Sequence, residues 1–95
     1  MQYEERLERW LALSHGEPTR AKVREAGKLL VKGDVLYNRW DEHGVEAGHR
    51  ELVVVADVRK SPFFVLDDVF NGKTTWMRTR TLLKRYKLHP SGPRR

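Results

Sequence analysis

Trp76, Arg78 and Arg80 stand at alternate positions in WMRTR, and the chain then tightens into a basic turn from Thr81 to Arg85. Alternate residues of a strand share a face. A guanidinium grips phosphate through two parallel hydrogen bonds, and an indole ring stacks on an unpaired base. Tyr37 and Arg39 repeat the alternation in VLYNRW. Lys84, Arg85 and Lys87, with Arg94 and Arg95 at the chain end, continue the positive charge without acidic neighbours in sequence. The candidate contact set for a polyanion is therefore Trp76, Arg78, Arg80, Lys84, Arg85, Lys87, Arg39 and Tyr37. The plainer reading pairs Arg78 with Asp67 and uses Trp76 to cover the core or receive the N-terminal helix. A charge run is also often just a solvated face.

Other residue clusters carry less chemistry. Asp41, Glu42, His43, Glu46 and His49 crowd one polar stretch. Imidazole and carboxylate suit a divalent ion, but this spacing matches no defined site, and no metal is expected. Asp67 and Asp68 are neighbours on a strand and so point to opposite faces, which disqualifies them as a carboxylate pair. Ser14-His15 has no third group in view. No glycine-rich phosphate loop occurs. The chain is expected to be non-enzymatic and to use no cofactor.

The elements that must hold these residues follow from periodicity. Tyr3, Leu7, Trp10 and Leu11 form an apolar stripe at helical spacing over residues 2–14, with Gly16 as its stop and Glu5 placed to pair with Arg9. Trp10 is expected to be partly buried. A second helix is expected from Pro18 to Leu30. Thr19, Val23, Ala26 and Leu30 share one face there, while Arg20, Lys22, Arg24 and Lys28 lie elsewhere. Gly27 weakens that helix by about 1 kcal/mol relative to alanine. Two helices joined by Gly16-Glu17 also fit a helix-turn-helix, but no third packing helix is evident.

From Lys32 the period changes to two. Lys32-Gly33-Asp34 reads as a turn, Val35 to Trp40 as a strand, Asp41 to Arg50 as a loop and Glu51 to Lys60 as a second strand. Ser61-Pro62 breaks it. Strands over 63–70 and 73–79 flank Asn71-Gly72, which suits a two-residue hairpin turn. That turn pairs Leu66 with Met77 on a core face and puts Phe63, Val65, Trp76, Arg78 and Arg80 on the solvent face. A helical turn at 80–85, a short strand at 86–89 and a disordered basic tail at 90–95 complete the chain.

With 95 residues and no cysteine, the chain is expected to form one domain with a modest core and no disulfide. The polar QYEERLER after Met1 reads as neither signal nor transit peptide. The apolar run Leu52 to Ala56 is too short to span a bilayer. A cytoplasmic location without membrane contact is expected. The net charge of +6 is concentrated in two blocks, around Arg20 to Lys32 and Arg78 to Arg95. Such clustering is the electrostatic footprint of a nucleic-acid binder.

GDVLYNRW, a long strand, a tight hairpin and WMRTRTLLKRYKL together resemble a Src-homology-3-like small barrel over residues 32–89. The opening Gly33-Asp34-x-Leu36 is similar to that of KOW and related domains. The resemblance implies an α+β, mainly β chain: a five-stranded barrel in which a helical turn precedes the closing strand. Residues 1–31 would be a helical extension packed on it. Small barrels of this kind bind RNA, DNA, ribosomes, modified peptides or other proteins, so the resemblance alone does not choose. A nucleic-acid-binding protein is the first expectation. The alternative is a protein-interaction module docking an acidic surface, such as a phage or mobile-element accessory factor or inhibitor of a host protein. RNA or DNA and oligomeric state stay open.

Overall fold

The computed structural model describes residues 1–40, 46–58 and 63–93, with backbone alone at 39–40, 46–49 and 57–58. Three helices and five strands run in the order α1 (Tyr3–Leu13), α2 (Arg20–Leu29), β1 (Val35–Trp40), β2 (Glu46–Val58), β3 (Phe63–Asp68), β4 (Thr74–Arg78), α3 (Thr79–Arg85) and β5 (Lys87–Leu88). The strands form one antiparallel sheet in the order β4-β3-β2-β1-β5. The sheet is open, and β4 and β5 are its two edges. The α+β class expected from the sequence is present. None of the helices among the described residues is long and apolar enough to cross a membrane.

Alternation decides what the sheet buries. Leu36, Leu52, Val54, Phe64, Leu66 and Leu88 point to one face and are buried there. Trp10 and Leu13 of α1, Ala26 and Leu29 of α2, and Leu82 and Leu83 of α3 cover that face. Trp10 is 1% exposed, and its indole N–H donates to Tyr86 O at 3.0 Å, so its single polar group is satisfied inside the core. The buried stripe of α1 differs from the expected one at its end: Leu13 is buried and Leu11 is exposed. Arg9 does not use Glu5. It forms a two-pronged pair with Glu25 of α2, with Nη2–Oε1 at 2.7 Å, and this pair lowers the Glu25 pKa.

A buried ion pair ties α1 to the sheet. Asp34, fully buried just before β1, accepts from Arg6 Nη1 at 2.5 Å, Arg6 Nη2 at 3.0 Å and Val31 N at 2.9 Å. Arg6 also donates to Leu29 O, a carbonyl at the end of α2 that lacks a helical partner. The hydrogen bonds to Asp34 raise the Arg6 pKa. The Tyr3 hydroxyl donates to His89 O at 2.6 Å, so α1 also holds the chain just after β5.

Two strand boundaries correct the sequence reading. β2 begins at Glu46, so residues 46–50 belong to a strand where a loop was expected; Asp41, Glu42 and His43 lie outside the described residues. β4 ends at Arg78, one residue before the expected strand end, so Thr79 opens α3; Arg80 lies in the helical turn expected at 80–85.

The hairpin register also differs. A five-residue loop, 69–73, joins β3 to β4. It is closed by Gly72 N donating to Asp68 O and Asp68 N donating to Lys73 O, each at 2.9 Å. Gly72 has φ +70°, but Asn71 is not left-handed, so the two-residue mirror-image turn does not form. The cause is Asp68. Its Oδ1 accepts from Phe70 N at 2.9 Å and Asn71 N at 3.2 Å, while Oδ2 meets Arg50 Nε at 3.3 Å. These bonds, led by that from Phe70, hold the Asp68 carboxyl below the usual carboxylate range. Leu66 therefore faces Thr75 and Phe64 faces Met77. Every pairing moves by two residues, an even number, so the inner and outer faces stay as expected.

Candidate functional site

β4 turns Trp76 and Arg78 outward from the edge of the sheet. Trp76 is 66% exposed, an uncommon state for the largest apolar side chain in a small domain. Val65 lies opposite it on β3, and Phe63 lies opposite Arg78. The Arg78 guanidinium sits 5.2 Å from the Phe63 ring centroid, in cation–π contact. Arg78 is exposed all the same. Arg78 does not pair with Asp67, whose carboxylate instead accepts from the Thr74 hydroxyl at 2.7 Å.

The chain enters α3 directly from Arg78. Thr79, Leu82 and Leu83 face inward and are buried, which turns Arg80, Lys84 and Arg85 to solvent. Among the described residues no salt bridge neutralises Arg78, Arg80, Lys84 or Arg85. Lys84 and Arg85 also lie in the last turn of α3, where cations complement the helix dipole. Trp76 and Arg78 thus share the outward face of β4, and exposed Arg80 follows in the first turn of α3.

The other expected residues lie elsewhere. Tyr37 and Lys87 face each other across β1 and β5, at the far end of the strand order from β4. Tyr37 is partly buried and meets the His89 ring edge-on, with centroids 5.4 Å apart. Arg39 is in β1, but its side chain lies outside what the structure describes. The contact set thus divides into a β4–α3 group and a β1–β5 group.

A polar cluster that the sequence reading did not single out surrounds His89. Its Nε2 lies 3.2 Å from Glu51 Oε1, and its Nδ1 lies 2.6 Å from Ser91 Oγ. A serine, a histidine and a carboxylate in line suggest a nucleophile and its base. The local bonds favour a turn cap instead. Ser91 N donates to the same Nδ1 at 3.1 Å, and the Gly92 N–H, a ready oxyanion donor, is engaged by His89 O at 3.1 Å. Ser91, Gly92 and Pro93 lie beside Val35 and Glu51 and border a cleft of about 260 Å³. Arg94 and Arg95 lie outside the described residues. Ser14 is likewise engaged locally, donating to Leu11 O at 2.7 Å.

Comparison of the chain with known protein families, curated proteins and solved structures finds no match.

Proposed function

We propose that this protein is a non-enzymatic nucleic-acid-binding module of small-barrel type, whose contact surface is the strip Trp76, Arg78 and Arg80 with Lys84 and Arg85. The observation that carries this reading is the exposed Trp76 ring beside unneutralised guanidiniums. An indole at 66% exposure has a free face for stacking. The neighbouring guanidiniums supply the phosphate contacts that a stacked base brings within reach. The barrel reading draws support from the strand order and from a helical segment between β4 and β5. Tyr37 and Lys87, at the other end of the strand order, are the weaker members of the set.

Fluorescence anisotropy with a labelled single strand and a labelled duplex, at several salt concentrations, tests the reading. Replacing Arg78 and Arg80 with alanine should weaken binding and leave the fold intact. The slope of log affinity against log salt should fall by about 0.7–0.9 for each phosphate that the variant no longer neutralises. Trp76→Ala should weaken the single strand more than the duplex, because only unpaired bases offer a stacking face. Absence of binding to either oligonucleotide at physiological salt would redirect the strip to an acidic protein partner.

A further inference from the structure

We infer that the interface extends onto α2, where Arg20, Arg24 and Lys28 form a second phosphate-contacting row, and that its ligand is a single nucleic-acid strand reaching from this row across α3 to Trp76; this rests on the reading of the β4–α3 strip as a nucleic-acid contact. The three residues recur every four positions, so they follow one line along the helix at a rise of about 6 Å per step. All three are exposed.

The packing of α2 fixes where that line points. Ala26 and Leu29 are buried in the core. Glu25 reaches toward α1, where Arg9 engages both its oxygens. Gly27 faces the start of α3, where a β-carbon on it would lie 3.7 Å from the Thr79 methyl. Arg20 precedes Gly27 by seven residues, which is close to two turns, so it stands on nearly the same flank. Arg24 and Lys28 lie between that flank and the Glu25 flank, on the side away from the core. The flank that carries Gly27 and Arg20 therefore borders the start of α3, where Arg80 follows Thr79 in the chain.

Charge balance favours a polyanion here. Glu25 is the only acid in α2, and it is engaged by another helix. Its field reaches Lys28, but among the described residues no salt bridge involves Arg20, Arg24 or Lys28. The bland alternative is a solvated cationic helix face. It leaves unused the contact of α2 with α3, through which a strand passing round the sheet edge would join the α2 row to Arg80 and the exposed indole. A single strand is favoured over a duplex because a base must be unpaired to stack on Trp76.

The test uses the full chain and a short labelled mixed-sequence RNA strand, with the corresponding duplex as the second probe. The variant is Arg20→Gln/Arg24→Gln/Lys28→Gln, with circular dichroism to check its fold. Its salt slope for the single strand should be shallower than wild type by about 2, from about 0.7 per phosphate released. Acetylation of wild-type Lys28 should slow when the strand is bound, which decides the question even if the variant misfolds. An unchanged slope with unprotected Lys28 overturns the α2 row, and the β4–α3 reading stands if Trp76→Ala still weakens binding. Duplex binding as tight as single-strand binding overturns the choice of ligand. Binding of neither probe by wild type overturns the underlying reading and this inference together.

Discussion

Each oxygen of Asp34 is occupied, and the group is fully buried. Desolvating a carboxylate is costly, and only a fully bonded partner offsets it. Arg6→Ala removes that partner and leaves the charge behind. It should destabilise the fold by about 3–5 kcal/mol. Urea melts of wild type and variant check this; a loss below about 1 kcal/mol would place the pair with ordinary surface ion pairs. Nothing in the sequence points to this contact. Arg6 reads as part of the polar face of a helix and Asp34 as a turn residue, and no periodicity links positions on separate elements. Trp10 and Leu36 were legible because apolar side chains at helical or strand spacing have one place to go. Trp76 was legible for the complementary reason, since on β4 it shares a face with Arg78, whose guanidinium is costly to bury unpaired.

At the scale of elements, Asp68 shows why a correct motif can give an incorrect turn. Asn71-Gly72 favours a two-residue hairpin locally. Four residues earlier than Gly72, a carboxylate held by Arg50 collects the N–H groups of Phe70 and Asn71 and closes a longer loop. The faces survived because the shift was even. The start of β2 was missed because Gly48 and the charged residues around it look like loop, whereas the strand there is set by pairing with β1, in which Trp40 faces Glu46. The folded pKa of Asp68 lies below its unfolded value. Its contribution to stability is therefore complete above the ordinary aspartate pKa of about 4 and is lost as pH falls through the lower folded value. Asp68→Asn should reduce stability at neutral pH and flatten this part of the acid limb in thermal melts taken from about pH 2 to about pH 6. An acid limb identical to wild type would show that Asp68 contributes nothing to it.

Gly27 offers a second element-scale outcome. Its β-carbon would meet only ordinary van der Waals contact with Thr79, at 3.7 Å, and its φ is not in the left-handed region. Gly27→Ala should therefore gain most of the helix propensity difference, about 1 kcal/mol. A rise in the urea midpoint checks it. A fall would mean that α2 and α3 sit closer than this contact allows.

At the scale of the whole molecule, the two helices before Lys32 and the sheet after it share one core. Trp10, Leu13, Ala26, Leu29 and Leu30 belong to the same buried cluster as Leu36, Leu66 and Leu83. The Arg6–Asp34 pair, the Trp10–Tyr86 bond and the Tyr3–His89 bond all cross from the first segment to the second. The small-barrel resemblance covers residues 32–89 and makes residues 1–31 a helical extension packed on it; which side chains join the two cannot be read from period. Truncating a single buried leucine or tryptophan costs about 2–5 kcal/mol, and a domain has only about 5–15 kcal/mol in total. Residues 1–31 supply several such side chains and the only cation bonded to buried Asp34 among the described residues. The fragment 32–95 should therefore fail to fold cooperatively. Circular dichroism and thermal melting of that fragment check the point. A sharp transition near that of the full chain would mean that the sheet and α3 hold a sufficient core of their own. It would also free α1 and α2 to act as a detachable arm, and the α2 row of Arg20, Arg24 and Lys28 would then no longer be held against the start of α3.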